Sequence, residues 1–354
     1  MKIIHSIFTF TIGGAETMLA DIINQQCKNA SVSLIIVNDK VNSNLLQSVN
    51  QQVSVFLLNR EESNKFQLLP TWLKIRKIVK KINPDVIHCH DHNLFPFFAE
   101  WRKKTCLTVH STNLPVLFLK YYRKIFAIST PVQQNIKKHA GIDAEVIYNG
   151  IEIESYLSRT DYDFNSQTDA FKIVLISRLY PPQKGQHIAI EALHLLLGKY
   201  PEMNVELFFV GDGEALEMLK ESAVQNNVDK HIVFYGQVER SWIKKNLKDF
   251  RLLIQPSLVE GFGLTIVEGF TSGLPVIASN IDGPKEIINI LNAGLLVNQG
   301  DPSDLAEKIE EVYESYVSGN ILNSGFLVKD KKKLEIFDIR KTAQNYLEKY
   351  ENIH

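Results

Sequence analysis

Short apolar runs such as Leu34-Ile-Ile-Val37 and Leu207-Phe-Phe-Val210 alternate with longer amphipathic stretches along the whole chain, and this rhythm constrains the fold more than any other feature. A strand that is apolar at successive positions has both faces to bury, which a parallel sheet layered between helices provides. The chain therefore reads as α/β, built of βα units. In the first half the predicted strands are Lys2–Phe8, Ser31–Val37, Ser54–Leu58, Val86–His88, Thr105–His110, Lys124–Ile128 and Val146–Tyr148, with helices at Ala15–Lys28, Leu68–Ile82 and Pro131–His139. A polar segment, Ser158 to Ala170, interrupts the pattern and is expected to be a linker. The rhythm then restarts with strands at Lys172–Ile176, Val205–Val210, Ile232–Tyr235, Leu252–Gln255, Val276–Ala278 and Ala293–Val297. The helices between them are predicted near Gln186–Lys199, Glu214–Gln225, Ser241–Leu247, Leu264–Ser272 and Pro284–Leu291.

Two doubly wound, Rossmann-like domains follow, at 1–160 and 161–337, with a closing helix in 338–354 that crosses back to the first. The chain has 354 residues, more than the roughly 250 at which single cores stop growing. In open α/β sheets ligands bind beyond the carboxyl ends of the strands, so two such domains are expected to face a central cleft.

Composition narrows the class. No run approaches the roughly 18 apolar residues of a membrane span, and the start lacks a signal-peptide layout, so a cytoplasmic protein is expected. Cys27, Cys89 and Cys106 have neither disulfide nor metal-ligand spacing and read as reduced core thiols. Residues 1–150 hold 18 Lys/Arg against 10 Asp/Glu, the remainder 21 against 30. That asymmetry suits either an ordinary solvated surface or contact of the basic half with an anionic partner, such as a phosphate-bearing acceptor or the inner face of the cell membrane. The helix Leu68–Ile82 has a basic face that serves the membrane reading, although a crossover helix whose apolar stripe packs on the core is the better-supported reading. No nucleic-acid partner is implied.

The most informative segment is Pro256-Ser-Leu-Val-Glu260-Gly-Phe-Gly-Leu-Thr-Ile-Val-Glu268, a strand exit, a glycine-bearing turn and a helix. Gly261, Phe262, Gly263 and Leu264 place backbone N–H groups at the helix N-terminus, where the dipole favours phosphate. Glu260 and Glu268 suit hydroxyl groups of a sugar or ribose, since a carboxylate only accepts hydrogen bonds, although each taken alone reads as a helix-capping residue and a solvated one respectively. Arg178 and Lys184 follow the first strand of the second domain in a loop that opens before the Gln186–Lys199 helix. Two cations there suit a diphosphate, although from these residues alone a solvated surface salt-bridge pair is the commoner reading. Gly13 and Gly14, after the first strand, let backbone approach an anion. Gly211-Asp212-Gly213 imitates a dinucleotide fingerprint but has Leu216 where the third glycine belongs, which argues against a dehydrogenase. His110 ends a strand ahead of the polar turn Ser111-Thr112-Asn113 and is expected to point into the cleft. His88-Cys89-His90-Asp91-His92 invites a metal reading, but a strand exit lining the acceptor site, with Asp91 or His92 near the acceptor, fits it better. Asp161-Tyr162-Asp163 has the form of a metal-binding triplet, yet falls in the linker. No metal is assigned.

The pair Glu260 and Glu268, followed by Gly273-Leu-Pro275-Val-Ile-Ala, resembles the signature of the family 4 retaining glycosyltransferases. Ser177-Arg178-Leu-Tyr-Pro-Pro-Gln-Lys184-Gly185, Val210-Gly211-Asp212-Gly213, Phe234-Tyr-Gly236, Tyr148-Asn149-Gly150-Ile-Glu152 and Gly13-Gly14-Ala15-Glu16 resemble that family's other blocks, in its order. The gap from Arg178 to Lys184 is one residue longer than the family's commonest spacing. The resemblance implies a GT-B enzyme that moves a hexose or N-acetylhexosamine from a UDP- or GDP-sugar to a lipid-linked or growing saccharide in surface-glycan assembly. It implies no cofactor besides the nucleotide-sugar substrate. Arg178 and Lys184 would hold the diphosphate, Glu268 the ribose and Glu260 the donor sugar. Gly13, Gly14, Gly211, Gly263 and Leu264 would contact the donor, and His110 the transferred sugar near its reacting carbon. No protein nucleophile is implied; the departing phosphate helps to deprotonate the incoming hydroxyl. A nucleotide-sugar epimerase of the same architecture, and a non-catalytic nucleotide-sugar-binding partner, remain alternatives.

Overall fold

In a computed structural model the chain folds into two units, described for residues 1–112 and 117–353. Asn113 of the polar turn lies outside the described residues. The first unit comprises Met1–Ile151 and the returning segment from Ile336; the second is Glu152–Glu335.

The apolar runs of the first unit become seven parallel strands: β1 (Lys2–Ile7), β2 (Ser31–Asn38), β3 (Ser54–Arg60), β4 (Val86–Cys89), β5 (Thr105–Val109), β6 (Lys124–Ala127) and β7 (Glu145–Val146). Their order is β3-β2-β1-β4-β5-β6-β7. The chain leaves the centre in one direction, then returns to build the other half, so the reversal falls between β1 and β4, where His5 pairs with His88. Such a switch point opens a crevice beyond the strand ends. The six strands of the second unit repeat the plan: β8 (Phe171–Ile176), β9 (Val205–Val210), β10 (Ile232–Gly236), β11 (Leu252–Gln255), β12 (Val276–Ser279) and β13 (Leu295–Val297). Their order, β10-β9-β8-β11-β12-β13, puts the switch point between β8 and β11.

Both units are thus Rossmann-like α/β layers. The second has one core, from Phe171 and Phe209 to Tyr316. In the first, one cluster joins Ile3, Met18, Ile22, Val86 and Phe126 to Ile339, Tyr346 and Tyr350 of the closing helix, Ile339–Tyr350. That helix starts where Asp338 accepts the N–H of Arg340 at 2.8 Å. A Cβ at Gly150 would lie 2.6 Å from Thr342 Oγ1 and 2.8 Å from Ile339 N, so this glycine lets the backbone meet the helix.

The structure differs from expectation in several places. The segment expected as a linker packs on the second unit: Phe164 meets Phe171 edge-on, and Tyr162 donates to the Gly273 carbonyl at 2.8 Å. Its polar composition hides these aromatic anchors. Asp161 and Asp163 form an exposed turn there, Asp161 accepting the Asp163 N–H at 2.9 Å. A further helix, Pro302–Val317, is capped by Asp301 and buries Leu305, Ile309, Val312 and Tyr316 on one face. Finally, the Leu68–Ile82 helix buries Thr71, Ile75 and Val79, yet leaves Leu69 and Leu73, one turn apart, 65% and 51% exposed. Among the described residues no helix is long and apolar enough to cross a membrane.

Candidate functional site

In the second unit, the loops after β8, β9 and β11 converge at the switch point. Gly185 has φ +69°, and a Cβ there would lie 2.0 Å from the Pro256 carbonyl oxygen. The turn after β8 is therefore pressed against the exit of β11. Leu258 N–H donates to Gln183 O at 2.8 Å, tying the same two loops. Gly211, with φ +140°, would place a Cβ 2.0 Å from Ser177 O, and its N–H donates to Gly236 O at 2.8 Å. Close packing of β9's exit on the Ser177-Arg178 turn is the reason for a glycine here.

Arg178 leaves this turn exposed, its guanidinium 5.2 Å from the centroid of the Tyr180 ring. Buried Gln186 holds the turn by donating to Ser177 Oγ at 2.8 Å and to Arg178 O at 2.9 Å. In place of an open loop before the Gln186–Lys199 helix there is a helical turn, Pro181–Lys184, started by its two prolines. It delivers Lys184 Nζ to Glu260 Oε2 at 2.7 Å. Glu260 also accepts from Gln255 Nε2 at 3.2 Å and from Phe262 N–H at 3.4 Å. The cation and the carboxylate, which the sequence resemblance directs to different parts of one ligand, here neutralise each other.

Gly263 (φ +104°) caps the helix Leu264–Thr271, a backbone conformation open to glycine at little cost. Thr265 donates to Gln255 Oε1 at 3.0 Å, fixing the first turn against β11. Glu268, one turn farther in, is buried and accepts a hydrogen bond from Tyr156 Oη at 2.7 Å. The structure thus brings Lys184 to Glu260 at the exits of β8 and β11, with Arg178 on the neighbouring turn, Gly263 and Leu264 at the start of the following helix and Glu268 one turn inside it. The sequence did not single out Tyr156, Gln186 or Gln255. Gln255 carried a usable signal, as a polar residue closing an apolar strand; Tyr156 carried none.

The first unit has a different centre at its own switch point. Gly13 precedes the helix Gly14–Gln26, and its carbonyl accepts Thr17 N–H at 3.0 Å. His5 of β1, His88 of β4 and His90 just beyond are buried together, with ring nitrogens of the three within 4.8 Å of one another. That spacing would suit a cation, yet all six ring nitrogens already have protein partners. His5 reaches Gln26 Oε1 at 2.8 Å and His90 Nε2 at 3.0 Å. His88 contacts Thr108 Oγ1 at 2.7 Å and Tyr350 Oη. His90 Nδ1 lies 3.4 Å from His110 Nε2. Burial pushes the pKa values of His5 and His110 down to about 4, and those of His88 and His90 well below the ordinary range, so these rings are neutral at pH 7. His92 is also buried, and Asp91 accepts the N–H of Asn93 at 2.7 Å, which gives both a local structural place.

Two family models match consecutive parts of the chain: Glycosyltransferase Family 4 over residues 12–155 and Glycosyl transferases group 1 over residues 159–323. An uncharacterized glycosyltransferase of Methanocaldococcus jannaschii is 29% identical over 284 residues, 74% of this chain and 76% of that protein. The lipopolysaccharide 1,6-galactosyltransferase of Escherichia coli is 23% identical over 330 residues, 87% of each. HepE of Anabaena, solved in complex with UDP and glucose, superimposes with a TM-score of 0.80 at 22% identity over 99% of both chains, a likeness of fold. With both halves matched to glycosyltransferase families and both folded as these parallel-sheet layers, the chain is a glycosyltransferase of the GT-B type.

Proposed function

We propose that this enzyme transfers a hexose or N-acetylhexosamine, with retention of anomeric configuration, from a UDP- or GDP-sugar to a hydroxyl of a lipid-linked or growing saccharide in surface-glycan assembly. The observation that carries this reading is the pairing of Lys184 with Glu260 just ahead of the Gly263-capped helix, with Arg178 on the turn after β8 that also leads to Lys184 and Glu268 one turn inside that helix. Cations and a helix N-terminus favour a diphosphate, and carboxylates favour the hydroxyls on either side of it. The galactosyltransferase relative and the UDP and glucose held by HepE agree with such a donor.

In the proposed mechanism Arg178 and Lys184 bind the diphosphate and neutralise the charge that grows on it as the sugar–phosphate bond breaks. Lys184 leaves Glu260 for phosphate, which releases Glu260 to accept hydrogen bonds from the sugar. Glu268 binds the ribose, with Tyr156 holding the carboxylate in place. His110 contacts the transferred sugar, and Gly13, Gly14, Gly263 and Leu264 offer backbone to the donor. The acceptor hydroxyl gives its proton to the leaving phosphate oxygen as its own oxygen bonds to the same face of the sugar. Orientation and charge stabilisation carry the rate.

A thermal-shift screen of nucleoside diphosphates tests the site, because a ligand that binds only the folded state raises the melting temperature. UDP or GDP is expected to stabilise the chain, and an Arg178→Ala chain is expected to lose that shift. Conversion of donor without acceptor would instead identify an epimerase. We also place the enzyme at the inner face of the membrane, on the strength of exposed Phe66, Leu69 and Leu73 beside Lys74, Lys77 and Lys81. Absence of sedimentation with anionic liposomes at low salt would remove that part.

A further inference from the structure

The histidines of the first unit form a chain whose proton positions are set from one end. Gln26 Nε2 donates to the Ala343 carbonyl at 3.5 Å, which turns Gln26 Oε1 toward His5 Nε2 at 2.8 Å. An amide oxygen only accepts, so His5 Nε2 bears the hydrogen. The ring is neutral, so His5 Nδ1 is a lone pair, and His90 Nε2 at 3.0 Å must donate to it. His90, neutral as well, is left with an acceptor at Nδ1, and the group 3.4 Å away is His110 Nε2, which must donate in turn. His110 Nδ1 is then an acceptor, and among the described residues it is buried without a hydrogen-bond partner. Leaving such an atom unsatisfied costs roughly 1–3 kcal/mol, so the site favours a ligand that brings a donor.

We infer that Gln26, His5 and His90 are positioning residues that lock His110 in its Nε2–H tautomer, so that His110 Nδ1 accepts a hydrogen bond from a hydroxyl of the transferred sugar. The inference rests on the proposed contact of His110 with that sugar. The three links join β1, the exit of β4, the end of β5 and the Gly14–Gln26 helix, with the closing helix orienting Gln26. A histidine in the opposite tautomer would present a hydrogen to the sugar and reverse the bond, so the relay decides which hydroxyl orientation is accepted.

The test uses the full chain labelled with ring-15N histidine, whose long-range 1H–15N correlations assign each tautomer without any substitution. His5, His90 and His110 are expected as Nε2–H, and UDP or GDP together with the donor sugar is expected to move the His110 Nδ1 resonance. His110 found as Nδ1–H overturns the relay whatever its contact with sugar. Zn2+ that these histidines retain through dialysis, with the same resonances shifted, also overturns it. Substitutions supply the kinetic arm. His90→Leu breaks the chain and is expected to lower kcat roughly tenfold to a hundredfold. His90→Gln keeps one acceptor toward His110 and one donor toward His5, so it is expected to recover most of that loss. Nucleoside diphosphate affinity is expected to be unchanged in both. Equal impairment of the two variants would reduce His90 to packing and overturn the inference. Normal transfer by His110→Ala with the Nε2–H tautomers in place would remove the sugar contact and leave the proton order standing.

Discussion

The two units share one sheet plan and equip its switch point in opposite ways. In the second, the crevice between β8 and β11 holds charged groups that are partly exposed and neutralise each other, as Lys184 and Glu260 do at 2.7 Å. In the first, the place between β1 and β4 holds neutral, buried imidazoles joined in a line. In the proposed mechanism one arrangement answers an anion, whose attraction is strong and weakly directional; the other answers hydroxyls, whose hydrogen bonds are weak and strictly directional. The topology therefore supplies a location in each unit, and the side chains decide what that location recognises.

The difference breaks most completely if the first unit loses its closing helix. Removing residues 338–354 takes Ile339, Tyr346, Tyr350 and Ile353 out of the core. At roughly 1.5–3 kcal/mol for each buried side chain, the loss rivals the entire stability of a domain. The histidine line also loses its anchor at Ala343 and its Tyr350 contact. The truncated chain is expected to show no cooperative unfolding of the first unit by calorimetry, while the second unit keeps its transition. A native-like first transition would mean the helix is an accessory.

The next largest effect concerns the charged centre. Arg178→Ala is expected to lower transfer about a hundredfold to a thousandfold, the range seen when one group facing developing charge is removed. Glu268→Ala is expected to match it in steady-state assays, and to lower stability by about 1–3 kcal/mol because the Tyr156 hydroxyl loses its acceptor. Both chains are expected to stay folded by circular dichroism. Near-normal turnover in either would remove that residue from the site.

The charged centre was more legible in the sequence than the neutral one, of which His88, His90 and His110 stood out but their connections did not. Glycine-bearing turns and carboxylates after an apolar run mark a strand exit, and for this reason Glu260, Gly263 and Glu268 stood out before any coordinates. The strands were legible too: burial on both faces makes them continuous apolar runs, and Val205–Val210 and Leu252–Gln255 begin and end where the pattern does. His5 and Gln26 gave no such sign. They meet only because β1 and the following helix bring them together, and the other partner of His5, His90, is 85 residues away. Lys184 and Glu260 were each legible, but their mutual ion pair was not, because it depends on a helical turn at two adjacent prolines that read as loop.

Acid should act on the neutral centre in a definite direction. His5 has a folded pKa of about 4 against 6.5 when exposed, so between those values the unfolded chain binds more protons than the folded one. Stability from this group is complete above about pH 6.5 and is lost as pH falls toward 4, with roughly 2 kcal/mol gone by pH 5. His88 and His90, whose values are lowered as well, act in the same sense. Urea denaturation of a Trp242→Phe chain, followed through Trp72 and Trp101 of the first unit, should give a lower midpoint at pH 5 than at pH 7. Equal midpoints would mean that the line of rings is already protonated or open to water.

The smallest effect is the most specific to the charged centre. Side chains about one-fifth exposed, at 23% for Lys184 and 18% for Glu260, are screened enough that their pair should couple by only about 1 kcal/mol in stability. A double-mutant cycle of Lys184→Met and Glu260→Gln isolates that coupling, because each change leaves the fold's apolar contacts in place. With saturating UDP or GDP the coupling should fall toward zero, since the proposed mechanism moves Lys184 from the carboxylate to the diphosphate. If the coupling persists in the bound state, the pair is a fixed strut between the β8 and β11 exits, and Arg178 with the helix N-terminus must carry the diphosphate alone. The neutral line of the first unit offers no counterpart to such an exchange: its partners are set by tautomer, and a ligand there can only complete the pattern.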